Sequence, residues 1–169
     1  GEDYCDALFD ILLRDKLRTD MVYFAMCEEN LEKVLKKPYA MLGSDGAAKA
    51  DYGFLSAGKP HPRTYGTFPR VISRYVKKGL LAMEEAIAKM TSMPAKKIGL
   101  EGRGAISEGA YADLVIFDPD KIMDTATFDD PHRYPEGIEL VMVNGKAAVE
   151  KGQFLGVLNG KVLRRGVRD

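Results

Sequence analysis

Helical periodicity fills the first part of this chain and stops near Gly102, after which short strand-like runs take over. A chain with that change of texture cannot be a helical bundle or an all-β barrel throughout. Upstream, Cys5, Leu8, Phe9, Ile11 and Leu12 recur at helical spacing over 4–17, and Leu31, Val34 and Leu35 do so over 28–35, with Pro38 as a stop. Further helices are predicted over 68–78, 82–91 and 94–100. Alternating or apolar runs predict short strands over 19–26 and 38–44. Downstream, strands are predicted at 104–106, 112–117, 138–143, 146–150 and 161–163, with Asn144-Gly145 as a two-residue hairpin turn. The expected division is an α/β piece over 1–102 and an all-β piece over 103–169.

Between the two upstream strands and the later helices lies 46–67, a stretch punctuated by Gly53, Gly58, Pro60, Pro62 and Gly66. Long aperiodic loops inside compact domains are commonly functional. It begins at Gly43-Ser44-Asp45-Gly46, where an apolar run ends and a turn delivers one carboxylate to the C-terminal end of the expected strand. That end is where α/β sheets and barrels place their chemistry. Asp45 could bind a metal or move a proton between a water and a leaving amine; as a plain turn residue it would bond backbone amides instead. His61-Pro62-Arg63 follows on the same loop, and an arginine there can grip a carboxylate through paired hydrogen bonds. His132 is the other histidine, in a turn-rich stretch that reads as a structured surface loop and matches no zinc spacing.

Composition narrows the partners. The 25 basic and 25 acidic residues cancel, so no net field draws nucleic acid or an anionic membrane, and neither is an expected partner. No apolar run approaches the ~18 residues of a membrane span. Cys5 and Cys27 lack Cys-x-x-Cys spacing and are expected as buried or partly buried thiols of a cytoplasmic protein. Phosphate loops of the Walker and dinucleotide types are absent, as is the Gly-x-Ser-x-Gly nucleophile elbow.

Taken with His61-Pro62-Arg63 and Tyr65-Gly66-Thr67-Phe68-Pro69-Arg70-Val71, the Gly43–Gly46 turn resembles the N-acyl-D-amino-acid deacylases, or D-aminoacylases, of the amidohydrolase superfamily. Met90-Thr91-Ser92-Met93-Pro94-Ala95, Ala112-Asp113-Leu114-Val115 and Thr127-Phe128-Asp129-Asp130-Pro131-His132 extend the similarity over essentially the whole chain. The resemblance implies the last one to two β/α units of a zinc-dependent (β/α)8 barrel, followed by a small β-sandwich. It makes Asp45 the general base and acid, with at most a weak metal contact, and Arg63 the residue that binds the carboxylate of an N-acyl-D-amino acid. It assigns His61 no catalytic role.

The family's zinc ligands are a cysteine and several histidines from earlier barrel strands. Here both histidines follow Asp45, and neither Cys5 nor Cys27 takes the ligand position. A C-terminal fragment is therefore expected, inactive alone and without stoichiometric zinc, although the full-length enzyme would hold that metal. Its exposed barrel strands are expected to pair with another chain, such as a second copy. A dihydroorotase- or hydantoinase-like amidohydrolase, and a non-catalytic β-rich assembly module, are the alternatives.

Overall fold

The computed structural model describes residues 3–19, 21 and 23–164. Helix α1 spans Tyr4–Arg14 and is started by Asp3, whose carboxylate accepts from the Cys5 and Asp6 amides. Helix α2 is Glu28–Leu35, and a single 3₁₀ turn covers Gly53–Ser56. Helix α3, Arg63–Arg70, continues without a break into a π-helical turn, Val71–Val76. Pro69 lies inside α3 and cannot donate to the helical ladder, so the wider turn that follows is a local adjustment to the lost bond. Helices α4, Met83–Met90, and α5, Ser92–Ile98, complete the helical part, and Gly99 closes α5 in the left-handed conformation at φ +76°.

After Gly102 the chain forms one antiparallel sheet in the order β1-β2-β3-β4: Leu114–Phe117, Ile138–Val143, Lys146–Glu150 and Gln153–Phe154. Leu114 faces Met142, and Val143 faces Lys146. Asn144 and Gly145 both take positive φ, +47° and +81°, which is the hairpin turn that their sequence predicts. The hairpin is joined to the helical part by a polar cluster. Arg103 lies over the Tyr111 ring at 4.1 Å, pairs with Asp113, and donates to Asn144 Oδ1 at 2.7 Å. The other Asp113 oxygen accepts the Asn144 amide at 2.7 Å, and Asn144 donates to the Asn159 carbonyl.

The core sits among the helices. Leu35 from α2, Val71 and Tyr75 from the π turn, Leu81 just before α4 and Ala86 within it form one buried cluster, with Leu42, Val76, Leu80 and Met90 packed against it. Among the described residues, the sheet contributes Ala148 alone to the buried set. The buried core thus lies mainly in the helical half.

Several expected elements differ. Tyr39–Ser44 is not a strand. Two of its backbone groups bond to α4 instead: the Leu42 amide donates to the Lys89 carbonyl at 3.0 Å, and the Lys89 ammonium reaches the Ala40 carbonyl at 3.2 Å and, just before the run, the Lys37 carbonyl at 2.5 Å. The run 19–26 forms no regular structure over its described residues; residues 20 and 22 lie outside them. Neither 104–106 nor 161–163 is a strand. Cys5 and Cys27 are exposed rather than buried. No described part of the chain covers α1, whose Leu8, Phe9, Ile11 and Leu13 are open, and Cys27 stands at the N-cap of α2.

Candidate functional site

Asp45 and Arg63 meet directly. Asp45 takes φ +47°, a left-handed conformation that Asp tolerates better than most residues, and Ser44 Oγ accepts the Gly46 amide at 3.2 Å beneath it. Gly46 is required by close approach: a Cβ there would stand 2.9 Å from Thr64 Cα in the first turn of α3. The turn is therefore pressed against the helix that begins with Arg63. From there the guanidinium makes two contacts to one residue, Nε to the Asp45 carbonyl at 2.9 Å and Nη2 to Asp45 Oδ2 at 2.8 Å. The Asp45 side chain is 87% exposed, so the pair fixes geometry and contributes about 1 kcal/mol or less to stability.

Sequence reasoning placed Arg63 on a loop, whereas it opens a helix. Pro62, at φ −51° and ψ −27°, already has helical dihedrals and sets the entry angle. His61 sits just before it, and its Nδ1 accepts the Arg63 amide at 3.0 Å, which fixes the neutral tautomer with hydrogen on Nε2. Burial lowers the pKa of His61, and the positive charge of Arg63 lowers it further. The imidazole and the Phe128 ring pack edge to face at 4.9 Å, and Phe24 also packs edge to face with Phe128, at 5.0 Å.

Phe128 belongs to 124–134, a strap from the β half that runs along the site. Asp124 accepts from Arg70 at 2.9 Å and from Ser73 at 3.2 Å, close against Gly66 of α3. Lys59 donates to the Asp129 carbonyl at 3.0 Å. His132 stands between two groups of the helical half: Nε2 donates to the Gly58 carbonyl at 2.8 Å, and Nδ1 meets the Tyr65 hydroxyl at 3.0 Å. A carbonyl can only accept, so Nε2 carries the hydrogen and Nδ1 accepts from Tyr65. Burial raises the Tyr65 pKa, and the neighbouring Tyr134 and Asp51 raise it further, which keeps the hydroxyl protonated for this bond. Tyr65 and His132 are further functional candidates: the sequence did not single out Tyr65 and read His132 as part of a structured surface loop. The only signal was their place in the two motif segments, since nothing in sequence reveals a contact across 67 residues.

These partners also test whether the chain's own residues suit a metal ion. Among the described residues no group of three or more His, Cys, Asp or Glu side chains converges. His61 Nδ1 and both nitrogens of His132 are engaged with protein groups, and Asp45 offers one carboxylate already paired with Arg63. This donor set does not fit zinc.

Residues 34–149 match the profile described as "Amidohydrolase family". The chain belongs to the amidohydrolase family. Within it, the chain is 41% identical over 145 residues to a D-aminoacylase of Alcaligenes xylosoxydans xylosoxydans, covering 85% of this chain and 28% of that enzyme. A crystal structure of D-aminoacylase superposes with a TM-score of 0.77 at 43% identity, over 85% of this chain and 29% of that one. The N-acyl-D-glutamate deacylase of Bordetella bronchiseptica, crystallised with zinc and a phosphonate inhibitor that mimics the tetrahedral intermediate, superposes at 0.67 with 42% identity, over 75% and 25%. The chain thus spans less than a third of the length of these amidohydrolases, and its α/β architecture with one small sheet is that of part of D-aminoacylase. No helix among the described residues is long and apolar enough to cross a membrane.

Proposed function

We propose that this chain is the C-terminal portion of a zinc-dependent amidohydrolase that hydrolyses N-acyl-D-amino acids to a D-amino acid and a carboxylate. The observation that carries this reading is the two-point contact of Arg63 with Asp45, formed by the Gly43–Gly46 turn and the His61-Pro62-Arg63 segment together. The second of these favours a deacylase of D-residues over a dihydroorotase or hydantoinase. Residues 1–102 are assigned to the last one to two β/α units of the (β/α)8 barrel. Residues 103–169 are assigned to the sandwich; Val115 and Ile116, on opposite faces of edge strand β1 and each 54% exposed, leave an apolar side chain open on either face where a second layer could pack. The exposed apolar residues of α1 would be covered by the rest of that barrel. Two free, exposed cysteines support a reducing, cytoplasmic location.

Asp45 Oδ1 has no hydrogen bond or ion pair among the described residues, so one oxygen remains to act while the other is held by Arg63. In the proposed reaction that oxygen takes a proton from the attacking water as its oxygen bonds to the acyl carbon. It then gives the proton to the nitrogen as the C–N bond breaks. Arg63 spends two of its five N–H donors on Asp45. The other three are available for the α-carboxylate of the substrate, which places that carboxylate and the proton-transfer group side by side. Zinc in such an enzyme needs donors beyond these residues.

The test is release of free amino acid from N-acetyl-D- and N-acetyl-L-amino acids, with zinc, by this chain and by a chain extended upstream to complete a barrel. D-substrate hydrolysis by the extended enzyme is expected, with kcat falling roughly 10²- to 10⁴-fold in Asp45→Asn. Arg63→Ala is expected to raise KM on the order of 10- to 100-fold, as a charged partner of the carboxylate is lost. An extended enzyme that hydrolyses no N-acyl-D-amino acid would overturn the proposal.

A further inference from the structure

We propose that His132 is a positioning residue for Arg63, tying the segment before it and the helix after it to the strap from the β half. The inference rests on the deacylase reading for its kinetic consequence, but on geometry alone for the tie itself. Gly58 lies five residues before Arg63 and Tyr65 two residues after it, and one imidazole bonds both, at 2.8 and 3.0 Å. Between them the chain has no regular structure until α3 begins. Local bonds in this stretch, such as Lys49 to the Ala57 carbonyl and Ser56 to the Gly53 carbonyl, fold it on itself without fixing it to a rigid element. The ties across to the strap do that: the Lys59 bond to Asp129, the His61 ring on Phe128, and His132. Of these, His132 alone bonds on both sides of Arg63.

The placement of the ring is itself fixed. Pro131, fully buried, precedes it, and Tyr65 packs edge-on to both His132 and Tyr134, at 5.7 and 5.3 Å. The first turn of α3 is therefore held at Tyr65 by the strap and at Thr64 by the Gly46 turn, with Arg63 adjacent to both. Removing the imidazole would release the strap side and leave the turn side, so the guanidinium would keep Asp45 but lose its fixed approach to a substrate carboxylate. That predicts an effect on substrate binding larger than on the proton transfer.

The experiment uses the extended enzyme in four forms: wild type, His132→Phe, His132→Gln and Tyr65→Phe. Phe keeps a ring and offers no bond. The Gln amide can donate to Gly58 and accept from Tyr65. Tyr65→Phe removes one bond without touching the strap and guards against a His132→Phe protein that fails to fold. Expected are a KM for N-acyl-D-amino acids raised about 10-fold in His132→Phe with kcat within about 3-fold, since small misplacements cost this much. A smaller rise is expected in Tyr65→Phe, and recovery toward wild type in His132→Gln. A His132→Phe enzyme with wild-type KM overturns the proposal, as does a Gln variant no better than Phe. Amide exchange of residues 57–66 reads the tie without activity. Faster exchange in Phe than in Gln supports it even if the wild-type enzyme hydrolyses no D-substrate, a result that would overturn the deacylase reading alone. Equal exchange in the two variants overturns the tie.

Discussion

Lys89→Met should destabilise the protein by about 2–4 kcal/mol, because the ammonium it removes is buried and bonded to two backbone carbonyls, one of which has no other donor among the described residues. Lys89 is 1% exposed on α4, and its Nζ reaches the carbonyls of Lys37 and Ala40, with Glu85 Oε1 at 3.4 Å. A hydrogen bond from a charged donor contributes roughly 1.5–3 kcal/mol. The Lys37 carbonyl keeps the Ala40 amide as a second donor, at 3.0 Å, so its loss is partial. The Ala40 carbonyl has no other donor among the described residues and takes the full cost. Glu85 is 43% exposed and stays solvated, so no buried charge is orphaned. In the other direction, Met fills similar volume and needs no desolvation of a cation, which offsets part of the loss. At about 2–4 °C per kcal/mol for a chain of this size, the melting temperature should fall by roughly 5–15 °C. Thermal and urea unfolding by circular dichroism measure it. A Lys89→Met protein within about 0.5 kcal/mol of wild type would refute the reasoning, since it would mean that the two carbonyls are satisfied without the ammonium.

Gly66→Ala should destabilise α3 by about 1–3 kcal/mol, although Gly→Ala within a helix ordinarily stabilises it, because the added Cβ would stand 2.9 Å from Asp124 Cβ; urea midpoints would read the sign. His61 makes stability depend on pH. Its folded pKa lies below the ordinary 6.5, so between the two values the unfolded chain binds more protons, and stability falls as pH drops from 6.5 through the folded pKa. His61→Asn should flatten unfolding profiles across that window, and an unchanged slope would show that His61 is not the group responsible. Arg103→Ala, which strips a largely buried guanidinium from Asp113 and Asn144, should cost about 3 kcal/mol and loosen the β2–β3 hairpin, read by amide exchange at Asn144.

Periodicity made α1, α2, α4 and α5 legible, and Asn144-Gly145 made the hairpin so, because each rests on local chemistry. α3 was partly hidden. Pro62, Gly66 and Pro69 look like loop punctuation, yet Pro62 presets the helix entry and Gly66 is needed for contact with Asp124. Apolarity at Tyr39–Leu42 suggested a strand, but Lys89 takes two of the bonds that a sheet neighbour would make. Of the candidate site, Asp45 and Arg63 were visible as residue types in motif segments. Their mutual contact was not, since it depends on the approach of Gly46 to Thr64. His132 was least visible, because its role is set wholly by partners distant in sequence.

That distance has a consequence for synthesis. The bonds from the strap to Gly58, Lys59 and Tyr65 link residues 67 to 74 positions apart. At ribosomal rates of about 5–20 residues per second, the segment carrying Asp45 and Arg63 emerges some 3–15 seconds before the residues that secure it. Over that interval Phe24 and His61 wait without Phe128, and a nascent chain stalled before the strap would present them to chaperones or proteases.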